Sequence, residues 1–346
     1  MNALPLVSVI IPMRNEAASI AGLLESVLAQ DYPPDRLEVL VIDGASDDGS
    51  TAVVERLAAR DARLRLLHNP QRIVPPALNI AIRAARGTVI ARVDGHTQLD
   101  PQYLRLGVET LARTGADNVG GRMDALGGGW FGDAVADATA SPAGVGSYFH
   151  FGTEEREVDT VYLGMWPRTV FERVGLFDEE LVRNQDDEFN YRLRKLGGRI
   201  VLNPAMRSSY QNRQDLVHLV RQYYQYGQWK VRVLQKHPAQ MSWRHFVPPA
   251  FVGGMILLAI VGPEWAPAAW ALRAAGGVYL LLVLIAATRQ SAARGVVGVL
   301  ATALALTCVH IAWGAGFLSG VIKFADRWRT PEQAPPRLEP TGEVVA

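Results

Sequence analysis

The sequence predicts an α/β fold, a doubly wound parallel sheet with apolar helices after it. Three observations carry this. Short apolar runs at 7–11, 37–42 and 88–93 alternate with stretches whose apolar residues recur at helical spacing. Two of those runs stop abruptly in acidic and glycine residues, at Asp43-Gly44-Ala45-Ser46-Asp47-Asp48-Gly49-Ser50 and at Asp94-Gly95-His96. Residues 246–322 are almost uncharged and hold three long apolar stretches.

The elements follow in order. Residues 7–11 read as a strand, and Pro12-Met13-Arg14-Asn15-Glu16 as the turn after it. Ile20, Leu23, Leu24, Val27 and Leu28 lie on one helical face, ended by Asp31-Tyr32-Pro33-Pro34. A buried strand at 37–42 leads to a helix near 50–60, a short strand at 64–67 and a helix at 76–85 that Gly87 closes. The strand 88–93 follows, and Asp100-Pro101 starts another helix, with Asp as N-cap and Pro in the first turn. From 124 to 160 the pattern thins, and Gly127-Gly128-Gly129 with the small-residue stretch 136–147 reads as flexible loop. Gly175-Leu176-Phe177-Asp178 is a turn, 187–196 a helix ended by Gly197-Gly198, and 199–202 a strand. In open α/β sheets ligands sit outside the carboxyl ends of strands. Asp43 and Asp94 at two such ends define a shared crevice, where a carboxylate can accept from a base imide or a ribose hydroxyl.

Residues 214–236 carry an apolar and aromatic stripe, Leu216, Leu219, Val220, Tyr223, Tyr224, Val231 and Leu234, flanked by Arg221, Lys230, Arg232 and Lys236. That is the pattern of a helix lying in a membrane interface; the alternative is a helix packed on the domain with a basic outer face. The stretches 246–262, 267–287 and 295–322 follow, and the last two reach bilayer-spanning length. Arg289 and Arg294 between them place that loop and the N-terminal region in the cytoplasm. The basic tail, with Lys323, Arg327 and Arg329, conflicts with three full crossings, and Gly314, Gly316 and Gly320 would let the third stretch re-enter. The organisation expected is 1–212 for the sheet domain, 213–245 for the interfacial helix, 246–322 for about three membrane helices and 323–346 for a polar tail.

The 346 residues allow more than one folding unit, and a net charge of +1 argues against a nucleic-acid partner. One cysteine, Cys308, excludes a disulfide framework and fits a reducing compartment. The first residues do not resemble a cleaved signal.

Taken together, the motifs resemble a family-2 inverting glycosyltransferase with the nucleotide-sugar fold called GT-A. Val7 through Glu16 looks like that family's opening strand and turn, which implies donor contacts at Pro12, Arg14 and Glu16. Asp43 through Ser50 resembles its nucleotide loop, with Asp43 and Ser46 as contacts, although Gly44 stands where a second Asp is common. Asp94-Gly95-His96 sits where the family has Asp-X-Asp, and Asn184 through Arg192 resembles its acceptor-side acidic motif. The similarity covers roughly 5–236. The Asp-Gly-His variant and the C-terminal membrane segment look most like the bacterial exopolysaccharide glucosyltransferases of the succinoglycan ExoA type.

The resemblance implies roles. The donor is a nucleotide-diphosphate sugar, with a UDP-sugar as the expected form, and Asp94 and His96 hold a divalent cation, Mn²⁺ or Mg²⁺, or orient the diphosphate. Imidazole suits Mn²⁺ better than Mg²⁺. Aligning Arg192 with the family's arginine makes Asp186 the base and leaves Asp187 to cap or support. Met165-Trp166 occupies the acceptor-side loop, where Trp166 stacks on a sugar or belongs to the core. Gln225, Gln228 and Trp229 resemble the Gln-X-X-Arg-Trp motif of polysaccharide synthases with its arginine lost, and Trp229 reads equally as an interfacial anchor. The expected activity is transfer of one sugar to a lipid-linked polyprenyl acceptor by a multi-pass protein of the cytoplasmic membrane, its catalytic domain facing the cytoplasm. The alternatives are a polyprenyl-phosphate sugar synthase and a nucleotide-binding membrane scaffold without turnover.

Overall fold

The computed structural model describes residues 4–144, 147–211, 215–329 and 334–338. It divides into two compact units. The first comprises the described residues of 1–124, 148–210 and 334–346, the second those of 125–147 and 211–333.

The first unit is built on one mixed sheet. Strands β1 (Val7–Met13), β2 (Leu37–Asp43), β3 (Leu64–His68) and β4 (Val89–Arg92) are joined through helices α1 (Ile20–Leu28), α2 (Ser50–Ala58) and α3 (Val74–Ala84). β5 (Thr97–Leu99), α4 (Tyr103–Thr114), β6 (Asn118–Leu126), and further on β7 (Arg156–Glu157), β8 (Tyr162–Pro167), α6 (Thr169–Val174), α7 (Gln185–Lys195) and β9 (Ile200–Gln211) complete it. The spatial order is β3-β2-β1-β4-β8-β6-β9-β5, with β7 against β9. β1 pairs in parallel with β2 and β4, and β2 with β3, as the alternating sequence requires. Beyond β4 the sheet turns antiparallel, where β8 pairs β4 and β6, and β9 pairs β5 and β7. The expectation of a wholly parallel sheet is corrected there. Pairings between strands so far apart in the chain leave no local mark.

Burial explains the parallel half. Every residue of β2 is buried, Glu38 included. Burial pushes the Glu38 carboxyl up, but Ser8 Oγ at 2.5 Å and Arg86 Nε at 2.9 Å outweigh it and hold it below its ordinary value. One apolar layer (Val9, Leu23, Leu24, Val41, Met165) lies on one face and another (Ile10, Leu40, Ile82, Phe171, Phe189) on the other. β6 reads poorly as a strand because of its glycines, and the structure shows why they are there. A Cβ on Gly121 would stand 1.8 Å from the Met206 carbonyl of β9. Trp166 lies inside β8, not in a loop, because β8 fills the gap between β4 and β6. Helix α4 starts after Gln102 rather than capping on Asp100; Asp100 instead accepts from the Tyr103 N–H at its carbonyl. Residues of the expected polar tail return to this unit: Leu338 is buried among the second layer and the Pro336 carbonyl accepts from Leu176 N–H at 2.7 Å.

The second unit is helical, with α5 (Gly129–Ala140), α8 (Leu216–Lys236), α9 (Val247–Val261), α10 (Ala266–Ser291) and α11 (Gly295–Lys323). The stretch read as flexible loop therefore contains a helix. Phe131, Ala134, Val135 and Ala138 recur at i, i+3, i+4 and i+7, and Phe131, Val135 and Ala138 pack with Leu306 and Val309 of α11. Arg294 ties α5 to the start of α11 through Asp133 at 2.8 Å and Asp137 at 3.1 Å. α11 is unbroken over 29 residues, about 44 Å. Gly314, Gly316 and Gly320 are packing positions. A Cβ on Gly316 would stand 2.0 Å from the Tyr224 carbonyl of α8, and one on Gly227 of α8 2.0 Å from that of Trp313. α8 lies along α11, with Lys230, Arg232 and Lys236 buried. Of the four basic residues read as flanks, these three are buried and Arg221 is exposed. Two segments, Trp243–Val261 and Ala266–Lys323, are long and apolar enough to cross a membrane by length and composition.

Candidate active site

The site grows from the carboxyl ends of β1, β2 and β4. Ile10 is the last residue of β1 paired to β4, opposite Arg92, so Pro12 interrupts no ladder on that side. The loops after β1 and β2 are joined by hydrogen bonds. Asn15 N–H donates to Ser46 Oγ at 2.9 Å, and Asn15 Nδ2 to Asp47 Oδ1 at 2.8 Å. Glu16 N–H donates to Ser50 Oγ at 2.8 Å, and Ala17 N–H to Asp48 Oδ2 at 2.9 Å. The Ser50 hydroxyl, which donates to Asp48 Oδ1 at 2.5 Å, and then the Ala17 N–H hold the exposed Asp48 carboxyl below its ordinary value. Asn15, Ala45, Arg72 and Asn184, at the starts of these loops, after β3 and before α7, all have φ between 56° and 62°. Backbone held in this region is costly for ordinary residues and gathers at functional sites.

Asp43 is not an open ligand. It is 3% exposed, its Oδ1 accepts from Ser46 Oγ at 2.6 Å and Ser46 N–H at 3.1 Å, and its Oδ2 accepts from Thr51 Oγ1 at 3.2 Å. Asp43 and Ser46 shape the loop. Glu16 is likewise committed, its Oε1 2.9 Å from His96 Nδ1 and its Oε2 accepting from Ser19 Oγ at 3.0 Å. Arg14 is exposed, with Nη1 3.4 Å from the Arg72 carbonyl.

The loop after β4 bonds both to the loop after β1, through Glu16 and His96, and to Arg92 of its own strand. Asp94 Oδ1 accepts from Arg92 Nε at 3.0 Å and Nη2 at 2.9 Å, and Arg92 Nη1 lies 3.9 Å from Asp186 Oδ2. Burial works against the Arg92 charge, but Asp94 and Asp186 outweigh it and hold the guanidinium protonated. Asp186 lies in the first turn of α7, where negative charge meets the positive helix end, and its Oδ1 accepts from Asp187 N–H at 2.9 Å. The helix N-cap is Asn184, without a side-chain cap bond, so neither acidic residue is the cap. The Asp186 side chain is 49% exposed. Behind Asp94, Tyr162 bonds Thr97 Oγ1 at 2.8 Å, and burial together with the Asp94 charge pushes its phenol well above the ordinary value.

The donor set suits a divalent cation. Asp94 Oδ2 takes no hydrogen bond among the described residues. The Glu16–His96 contact occupies Nδ1 and leaves Nε2, the arrangement by which carboxylates orient metal-binding imidazoles. No group of three or more His, Cys, Asp or Glu that could hold a metal exists among the described residues. The protein would thus supply two donors, and substrate phosphate and water the rest, as is usual for Mg²⁺-type sites.

The remaining expected residues lie elsewhere. Trp166 is 3% exposed and packs edge-on against Phe171, Phe177 and Phe189, so its ring faces are spent on the core and sugar stacking is ruled out in this arrangement. Gln225, Gln228 and Trp229 belong to α8 in the second unit. Gln228 donates to Ser319 Oγ at 3.0 Å and accepts from Lys323 Nζ at 2.9 Å, while Trp229 packs on Phe324. Arg92 was not foreseen. The available signal was a lone cation inside an otherwise apolar buried strand, which demands a partner.

A mixed sheet with strand-end loops zipped together, and with Asp94 and Asp186 both on Arg92, gives the α/β fold called GT-A. Residues 8–175 match the family described as Glycosyl transferase family 2. The Succinoglycan biosynthesis protein ExoA of Rhizobium meliloti (strain 1021) is 33% identical over 92% of this chain and 96% of its own length. A dolichyl N-acetyl-alpha-D-glucosaminyl phosphate 3-beta-D-2,3-diacetamido-2,3-dideoxy-beta-D-glucuronosyltransferase of Methanococcus voltae is 28% identical over 74% of this chain and 82% of its own. Among solved structures, the mannosyltransferase PcManGT from Pyrobaculum calidifontis, in complex with GDP-Man and Mn²⁺, shares the fold. Its TM-score is 0.59, with 22% identity, over 93% of this chain and 88% of that one. The chain belongs to glycosyltransferase family 2 and is a glycosyltransferase.

Proposed function

We propose that this protein is a membrane-bound inverting glycosyltransferase that moves one sugar from a nucleotide-diphosphate sugar, a UDP-sugar in the first instance, to a lipid-linked acceptor in polysaccharide assembly. The observation that carries it is Asp186, a half-open carboxylate at a helix N-terminus, within reach of the same arginine that holds Asp94. Asp186 Oδ2 takes the proton of the acceptor hydroxyl. The acceptor oxygen, freed of its proton, bonds to the sugar C1 as the bond from C1 to the diphosphate oxygen breaks, and the electron pair leaves on the nucleoside diphosphate. A single displacement inverts C1. A divalent cation held by Asp94 and His96 would supply positive charge to the departing diphosphate. The loops carrying Asp43, Ser46, Arg14 and Pro12 frame the nucleotide.

Membrane residence is supported by the apolar side chains of Ile256, Leu257, Ile260, Leu280, Leu281 and Leu282, exposed on α9 and α10. Arg289 and Arg294 favour a cytoplasmic site. The lipid-linked acceptor draws support from the Methanococcus voltae relative, whose name specifies a dolichyl-linked sugar phosphate.

The test uses purified protein in lipid nanodiscs, Mn²⁺, excess UDP-sugar, and either a polyprenyl monophosphate or a polyprenyl diphosphate-sugar. The expected product is the diphosphate-sugar lipid extended by one residue, with transfer reduced at least about 100-fold by Asp186→Asn and abolished by EDTA. Extension of the monophosphate alone, a ladder of long products, or full activity in EDTA would each overturn the corresponding element.

A further inference from the structure

Arg92 touches both sides of the site, and nothing in the motifs gives it a role. Its backbone is fixed on both flanks, by β1 opposite Ile10 and by β8 beside Ala91. Its side chain is 11% exposed, so the guanidinium has little freedom to leave its partners. Nε and Nη2 share one oxygen of Asp94, and Nη1 is turned toward Asp186. A planar fork can serve two carboxylates in two directions at once, whereas a lysine ammonium is a point charge. Replacing a buried ion pair by apolar groups is often neutral or stabilising. Stability therefore does not account for an arginine closing the buried run Val89-Ile90-Ala91. Asp186, half exposed, would otherwise be free to turn into solvent, and Asp94 would have both oxygens unrestrained.

We propose that Arg92 is a positioning residue for transfer, whose fork sets the donor-side Asp94 and the acceptor-side Asp186 relative to one another. This rests on the function proposed above. Arg92 does not touch the reacting atoms. By occupying Asp94 Oδ1 it presents Oδ2 to the cation and diphosphate, and by drawing Asp186 inward it sets the distance from base to acceptor hydroxyl. Arg92 links the two halves of the reaction, so its loss damages both, while loss of either carboxylate damages one.

The experiment compares wild type, Arg92→Lys, Asp94→Asn and the double variant as full-length protein in nanodiscs. Mn²⁺ binding in the presence of UDP is read by electron paramagnetic resonance, and transfer kinetics are read alongside. Arg92→Lys is expected to weaken UDP-dependent Mn²⁺ binding about 10-fold and lower kcat about 100-fold, with the acceptor KM within about threefold of wild type. In the Asp94→Asn background it should weaken Mn²⁺ binding by less than about twofold further, because the partner is already gone. A folded Arg92→Lys protein with wild-type Mn²⁺ binding and kcat overturns the inference while leaving the proposed function intact. If the lysine variant loses its thermal transition, Arg92→Gln is read in its place; if both unfold, the arginine is structural and the inference fails. A wild-type protein that turns over no nucleotide sugar overturns the proposed function, and this inference with it.

Discussion

The loop after β2 and the loop after β4 start alike, from an apolar parallel strand into Asp-Gly, yet the structure uses them oppositely. Asp43 turns inward, and Ser46 and Thr51 of its own segment take up its oxygens. Asp94 is held by Arg92 and through it lies near Asp186 on a distant helix. One carboxylate is held within its own loop, the other by an arginine that also reaches a distant helix. A strand-end acid is thus identified less by its position than by what its oxygens already hold.

The largest effect expected from this contrast separates the two aspartates. Asp94→Asn should lower kcat for transfer at least about 100-fold with little change in thermal stability, if its second oxygen holds the cation as proposed. Asp43→Asn should instead destabilise the first unit by about 1–3 kcal/mol, since it leaves a buried, hydrogen-bonded carboxylate position mismatched. It should weaken nucleotide binding and leave kcat at saturating donor nearly unchanged. Differential scanning fluorimetry with steady-state kinetics checks both, and equal kinetic losses would erase the distinction.

A second experiment sharpens the contrast through pH. His150 packs beside Phe149, which stacks on Tyr162 behind the Asp94 loop, and burial pushes its imidazole down to about 4. A depressed histidine binds fewer protons folded than unfolded. Its contribution is therefore intact above about pH 6.5 and is lost as pH falls from there toward 4, amounting to about 3 kcal/mol. His150→Gln should flatten the fall in melting temperature between pH 7 and pH 5. An unchanged slope would remove His150 as the acid-sensitive support on that side.

The smallest effect concerns Ala45, held at φ 56° in the Asp43 loop. Ala45→Gly relieves left-handed strain and should raise stability by about 0.5–1 kcal/mol net of the added chain entropy. A drop in stability would mean that the loop does not store this strain.

Local pattern was enough for the parallel half of the sheet and the helices over the apolar stretches, because each is set by side chains close together in the chain. Strands 7–11, 37–42 and 88–93 recur in the structure within about two residues at each end. Glycine-rich segments misled: Gly120-Gly121 and Gly127-Gly128-Gly129 hid β6 and α5, since glycines that permit close backbone approach look the same as glycines that free a loop.

By itself, then, the sequence determined the parallel strands, the long apolar helices and the acidic residues that end the strands, since period and composition are local properties. Only the tertiary structure decided that β8 enters between β4 and β6, that Trp166 is core, that Lys230, Arg232 and Lys236 of α8 are buried, and that Arg92 joins Asp94 to Asp186. Each of these depends on which distant surfaces meet, and that is settled by burial and by the partner a buried charge must find, neither of which is written at any single position of the chain.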